Sequence, residues 1–105
     1  MEIKFELSKN FNTQRLIGLA RKAGAISYGS EGCITDLKKK KSKLIITSSD
    51  ISEKTKKEII FAAKETPVLV SDMTKEELGH ILGVKPTAVL SVNDNNFKKG
   101  IYRGE

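Results

Sequence analysis

Aliphatic residues in this chain never run uninterrupted for more than three positions, and the short apolar runs alternate with amphipathic stretches of about ten residues. Leu44 to Ser48, Pro67 to Val70 and Thr87 to Val92 are rich in β-branched residues and read as buried strands. The stretches between them repeat their apolar residues at helical spacing. Leu16, Ile17, Leu19, Ala20 and Ala23 follow a potential cap at Asn12 and stop at Gly24. Cys33, Ile34 and Leu37 follow Gly29-Ser30. Asp50-Ile-Ser-Glu53 fits a capping box ahead of Ile59, Ile60 and Ala63, and Thr74-x-x-Glu77 fits another ahead of Leu78, Ile81 and Leu82, with Gly83 as the stop. A short extended piece, Ala25 to Tyr28, and a short helix after Asn95 complete the pattern. Strands joined by single helices predict helices on both faces of one sheet, a three-layer α/β/α sandwich.

At the start of the chain Ile3, Phe5 and Leu7 alternate with Glu2, Lys4 and Glu6, the pattern of a half-buried strand. Residues 1–10 are therefore expected to be an extra edge strand or an arm, with the strand favoured, and residues 11–105 a single domain. No Gly/Ser/Pro-rich linker divides the 105 residues, and 30% charged residues against 38% hydrophobic ones fit a globular domain. No run is long enough for a membrane span. The N-terminal residues lack the apolar region of a signal peptide, and the single cysteine, Cys33, suits a reducing compartment, so a cytoplasmic location is expected.

Catalysis would need a constellation of groups, and the sequence offers none. His80, the one histidine, has Gly83 and Val84 at the positions a metal partner would occupy. Asp50 and Asp72 end strands, where α/β enzymes place carboxylates, but both precede helices and are simpler to read as caps. No phosphate-binding glycine loop is present, and neither a cofactor nor a metal is expected.

Charge is the more informative feature. The net charge is +6, and from Asp36 to Lys43 five lysines face one acid, +4 in eight residues. The Gly29-Ser30 helix start offers backbone N–H groups to an anion. Projected at ~100° per residue, Gly32, Thr35, Asp36 and Lys39 share one outward face, opposite Cys33, Ile34 and Leu37. The residues alone leave two readings open: a nucleic-acid face extended by the lysine block, or a solvated lysine-rich helix end that complements the helix dipole.

Leu19-Ala-Arg-Lys-Ala-Gly24, Gly29-Ser-Glu31, Lys43-Leu-Ile-Ile-Thr-Ser-Ser-Asp50, Pro67-Val-Leu-Val70 and Glu77-Leu-Gly-His-Ile-Leu-Gly83 together resemble the L7Ae/L30e ribosomal protein family, and more closely its small bacterial members. The resemblance covers roughly residues 13 to 95. It implies a sandwich built on a four-stranded mixed sheet and a non-catalytic protein that binds RNA, in many members the sharply bent kink-turn with its sheared G·A pairs. Such members set a Gly-x-Asn-Glu-x-x-Lys stretch at the start of the second helix against those pairs, and hold a flipped-out nucleotide with a later loop. Carried over, Gly29 matches the glycine, with Ser30 beside it, and the loop falls on Val70, Ser71, Asp72 and Met73. The Asn, Glu and Lys positions fall on Glu31, Gly32 and Thr35, which supply neither the base-edge acceptor nor the cation. Lys38 and Lys39, with the rest of the block, are expected to grip backbone phosphate beside this site. The expected partner is thus ribosomal or other structured RNA, with ribosome association left open. The alternative is a protein-interaction module on the same fold, dimeric through its N-terminal strand.

Overall fold

The computed structural model describes residues 4–7 and 11–103. Five strands and five helices alternate as β1 (Lys4–Leu7), α1 (Phe11–Lys22), β2 (Ile26–Tyr28), α2 (Ser30–Lys38), β3 (Leu44–Thr47), α3 (Glu53–Ala63), β4 (Val68–Ser71), α4 (Lys75–Leu82), β5 (Val89–Val92) and α5 (Asn95–Arg103). Strands β2 to β5 make the expected mixed sheet, and β1 adds a fifth strand at one edge, in the order β1-β4-β3-β5-β2. Strand β1 runs parallel to β4, with Lys4 opposite Val68. The rest of the N-terminal arm, residues 1–3 and 8–10, lies outside the described residues.

The two faces of the sheet follow from the two-residue period of each strand. Leu44, Ile46, Leu69, Leu90 and Val92 point to one side, where they meet Ile17 of α1, Leu78 and Leu82 of α4 and Ile101 of α5. Ile45, Val68 and Val89 point to the other side and pack on Cys33 and Leu37 of α2 and Ile59 and Ala63 of α3. Strand β3 lies between β4 and β5 and is buried along its whole length. Its uninterrupted apolar sequence is what two covered faces require.

Two helix starts differ from the sequence expectation. Asn12 lies inside α1, where its Oδ1 accepts a bond from Arg15. Helix α3 is capped by Ser52, which accepts the Thr55 N–H at 3.2 Å, and not by Asp50. The capping box at Thr74 and Glu77 forms as expected, so Thr74 and not Asp72 caps α4, and Gly83 closes it.

One glycine is imposed by packing. A Cβ on Gly79 of α4 would lie 2.5 Å from the carbonyl oxygen of Lys85 and 2.9 Å from Cα of Pro86. The helix therefore touches the following loop backbone to backbone, which only glycine allows.

Candidate nucleic-acid interface

The parallel strands give the sheet two unlike ends. At the carboxyl end the Gly29 N–H donates to the Val89 carbonyl at 3.0 Å, placing the start of α2 beside the close of β3. Gly29 has φ 83° and ψ 154°, a region that residues with a side chain avoid. Among the described helix starts, those of α3, α4 and α5 are capped by Ser52, Thr74 and Asp94, whereas no side chain caps α2.

The loops after β3 and β4 are stitched together at this same end. The Ser49 N–H donates to the Met73 carbonyl at 2.8 Å, and Ser71 Oγ donates to the Thr47 carbonyl at 2.7 Å. Asp50 Oδ1 accepts the Lys75 N–H at 3.0 Å, so it serves the start of α4 rather than that of its own following helix. The Ser48 hydroxyl, and after it the Lys75 amide, hold the Asp50 carboxyl below its usual range.

The structure divides the sequence-derived site residues into distinct groups. Gly29, Ser30, Glu31 and Gly32 form the first turn of α2 at the carboxyl end, with Thr35 exposed further along the same helix. Val70 and Ser71 end β4, and Asp72 and Met73 begin the loop after it, at the same end and three strand spacings or roughly 14 Å across the sheet from β2. Within that loop the expectation that Met73 is available to a ligand is corrected. Met73 is wholly buried in the core and Ser71 is a buried hydroxyl, so Asp72 and the half-buried Val70 are the side chains presented. The Met73 N–H donates to Ser71 Oγ at 3.2 Å, which holds the chain close over the core at this point.

The lysines form a separate group. Lys38 and Lys39 stand at the opposite end of α2, nine residues or about 13 Å from Gly29. The block that follows leads into the amino end of β3, where the Lys43 N–H donates to the Val92 carbonyl. The block lies just past α2, and because a helix carries its two ends to opposite ends of the sheet, the lysines stand away from the Gly29 start.

Asp36 likewise leaves the outward face assigned to it. Its carboxylate accepts from Ser27 Oγ and, at 2.9 Å, from Asn93 Nδ2, which fastens α2 to β2 and to the end of β5. Ser91 Oγ donates to Asn93 Oδ1 at 2.6 Å and extends this network. Burial, and secondarily the Asp36 carboxylate, push the Cys33 thiol up to about 12.

Two aromatic residues escape a reading of spacing alone. The Arg21 guanidinium lies 5.5 Å from the ring centroid of Tyr28, directly before Gly29 on edge strand β2. Phe61 of α3 is 85% exposed. Among the described residues no group of three or more His, Cys, Asp or Glu side chains is placed to hold a metal, and no helix is long and apolar enough to cross a membrane.

Comparison with known proteins agrees with this architecture. The profile of the ribosomal protein L7Ae/L30e/S12e/Gadd45 family matches residues 12–102. The chain is 35% identical over 85 residues to the RNA-binding protein YlxQ of Enterococcus faecium, covering 80% of this chain and 82% of that protein. It is 39% identical over 77 residues to the large ribosomal subunit protein eL30 of Methanothermobacter thermautotrophicus, covering 71% and 78%. Among solved structures, a protein of unknown function from Bacillus halodurans C superposes with a TM-score of 0.83 at 26% identity, over 90% of this chain and 96% of that one. A 15.5 kD RNA-binding protein of Giardia lamblia shares the fold, with a TM-score of 0.69 at 20% identity over 88% and 80%.

Proposed function

This chain belongs to the ribosomal protein L7Ae/L30e/S12e/Gadd45 family, and on that premise we propose that it is a non-catalytic RNA-binding protein whose ligand is a structured RNA, ribosomal or kink-turn-like. The observation that carries the reading is the uncapped start of α2 at Gly29 and Ser30, at the same end of the sheet as the Asp72 loop. Uncapped N–H groups at the positive end of a helix dipole suit a phosphate. The bacterial relative is named an RNA-binding protein and the archaeal one a ribosomal subunit protein, in line with this ligand.

Glu31, Gly32 and Thr35 decide how that RNA is read. Glu31 brings a negative charge into the first turn, Gly32 offers no side chain, and Thr35 carries no cation. The start of α2 therefore holds phosphate through its backbone and reads base edges weakly. The lysines at the far end add affinity without reading sequence.

The test is a titration of the natural chain, and of a Glu31→Asn, Gly32→Glu, Thr35→Lys variant, against a kink-turn RNA and a duplex lacking the G·A pairs. A Cβ on Gly32 meets only Ser27 Cβ at 4.0 Å, so the longer side chain is accommodated. The natural chain is expected to bind both RNAs with little discrimination, and the variant to gain about ten-fold for the kink-turn, by analogy with base-edge contacts in DNA. Failure of the natural chain to bind either RNA overturns the proposal. Sharp discrimination by the natural chain overturns the assignment of these three positions.

A further inference from the structure

The amino end of the sheet carries a feature that the carboxyl-end site does not use. The C-terminal ends of α2 and α3 enclose a groove of about 810 Å³, bordered by Leu37, Lys38 and Lys40 on one side and by Phe61, Lys64 and Glu65 on the other. Phe61 sits there with 85% of its surface exposed, the largest exposure among the big apolar side chains described. Leu37 and Ala63 lie beneath it and are already buried, so the ring of Phe61 is the main apolar surface on offer. A protein-docking patch is broader and poorer in lysine.

Backbone conformation adds an independent observation. Lys40 and Lys64, with φ of 60° and 53°, are the two non-glycine residues with positive φ among those described, and both border this groove. Each follows the end of a helix, where glycine would adopt the conformation without strain. Strained positions of this kind cluster at binding sites. An exposed aromatic face bordered by three lysines against one acid, Glu65, keeps a net positive rim. That composition takes up single-stranded nucleic acid, with bases stacking on the ring and phosphates meeting the lysines.

We propose that this groove is a second RNA site, specific for an unpaired segment, with one base stacked on Phe61 and the neighbouring phosphates on Lys38, Lys40 and Lys64. The proposal rests on the RNA-binding reading but concerns the other end of α2. Phe61 lies outside the core, so substitutions there leave the fold intact, which thermal unfolding checks.

The full chain is titrated with labelled octauridylate and with a blunt-ended kink-turn RNA. Phe61→Ala is expected to weaken octauridylate binding roughly ten-fold while leaving the kink-turn unchanged. Lys64→Gln is expected to lower the log–log salt slope for octauridylate by about 0.7. The natural chain has no tryptophan, so the fluorescence of Phe61→Trp reports this site alone and is expected to be quenched by octauridylate. Equal octauridylate affinity of Phe61→Ala and the natural chain overturns the second site, as does a natural chain that binds the kink-turn but not octauridylate. In both cases the RNA-binding reading stands. A natural chain that binds neither RNA loses both proposals, and a tryptophan signal that answers to oligoglutamate but not to RNA assigns the groove to a protein partner.

Discussion

The Asp50 carboxylate, two residues before the cap of α3, accepts the backbone N–H of Lys75, the first residue of α4, at 3.0 Å. One side chain thus ties the loop after β3 to a helix that begins twenty-five residues later in the chain. Because the folded state lowers the Asp50 pKa, the contribution is full above the ordinary carboxyl value of about 3.9 and fades as pH falls through the folded value. Asp50→Ala is expected to lower the urea midpoint at about pH 7, with the difference from the natural chain closing towards about pH 2. Asp50→Asn keeps an oxygen acceptor and is expected to lose less, with a smaller pH dependence. Equal differences at both pH values would show that the ionised carboxylate is not what holds α4.

Gly79 makes a prediction from packing alone. An added methyl group meets the Lys85 carbonyl oxygen at 2.5 Å, and backbone cannot move aside as a flexible side chain can. Helix propensity favours alanine, by up to about 1 kcal/mol. The overlap wins: Gly79→Ala is expected to cost about 1–3 kcal/mol in chemical denaturation, the usual penalty of overpacking. A neutral or stabilising result would mean that the loop at Lys85 yields freely.

Lys40 separates stability from binding. It holds φ 60° just past the end of α2, and the next N–H, that of Lys41, reaches back to the Asp36 carbonyl at 2.9 Å, the pattern of a helix closed by a left-handed residue. Lys40→Gly is expected to stabilise the fold by about 1 kcal/mol while lowering affinity for octauridylate. A variant that gains stability without losing affinity would remove Lys40 from the groove's function.

Cys33 offers a probe of how firmly α2 is seated. Its side chain is fully buried and its thiol is pushed up to about 12. At about pH 8 roughly one thiol in ten thousand is ionised, so a thiol-reactive disulfide is expected to react extremely slowly in buffer. The rate should rise with urea in step with loss of the fold. Fast reaction in the native state would mean that α2 lifts locally from the sheet.

The pattern of alternating short strands and single helices was legible in the sequence because each strand needs its own β-branched run and each helix its own apolar stripe. The Thr74–Glu77 cap was legible because both partners lie within one turn. What stayed hidden depended on contacts distant in the chain. Asp36 faces outward on a helical projection, yet Ser27 and Asn93, the latter fifty-seven residues away, draw it to the sheet. Asp50 looked like the cap of the nearest helix and serves another. Lys38 and Lys39 follow Gly29 closely in sequence, but a helix converts nine residues into a traverse from one end of the sheet to the other. Met73 follows an exposed aspartate and was read with it, although its side chain turns into the core. Phe61 belongs to a run of apolar residues, and spacing alone did not mark it as the one left outside.

The strand order has a consequence for how the chain comes to be folded. The first two strands made, β1 and β2, occupy the two outer edges of the sheet, and each hydrogen-bonds to a strand made much later, β4 and β5 respectively. Ile26 finds Val92 only after sixty-six further residues have been added. A polypeptide emerging from its first residue therefore exposes β1, α1 and β2 with no sheet to join, and the interior strands arrive last to fill the space between them. Closing such distant pairs is slow compared with local helix formation. Strands β1, β4 and β3 can pair once β4 is made, but β2 stays unpaired and β3 keeps an open edge until β5 has been synthesised. Shortened chains that lack β5 are expected to remain open there and prone to association.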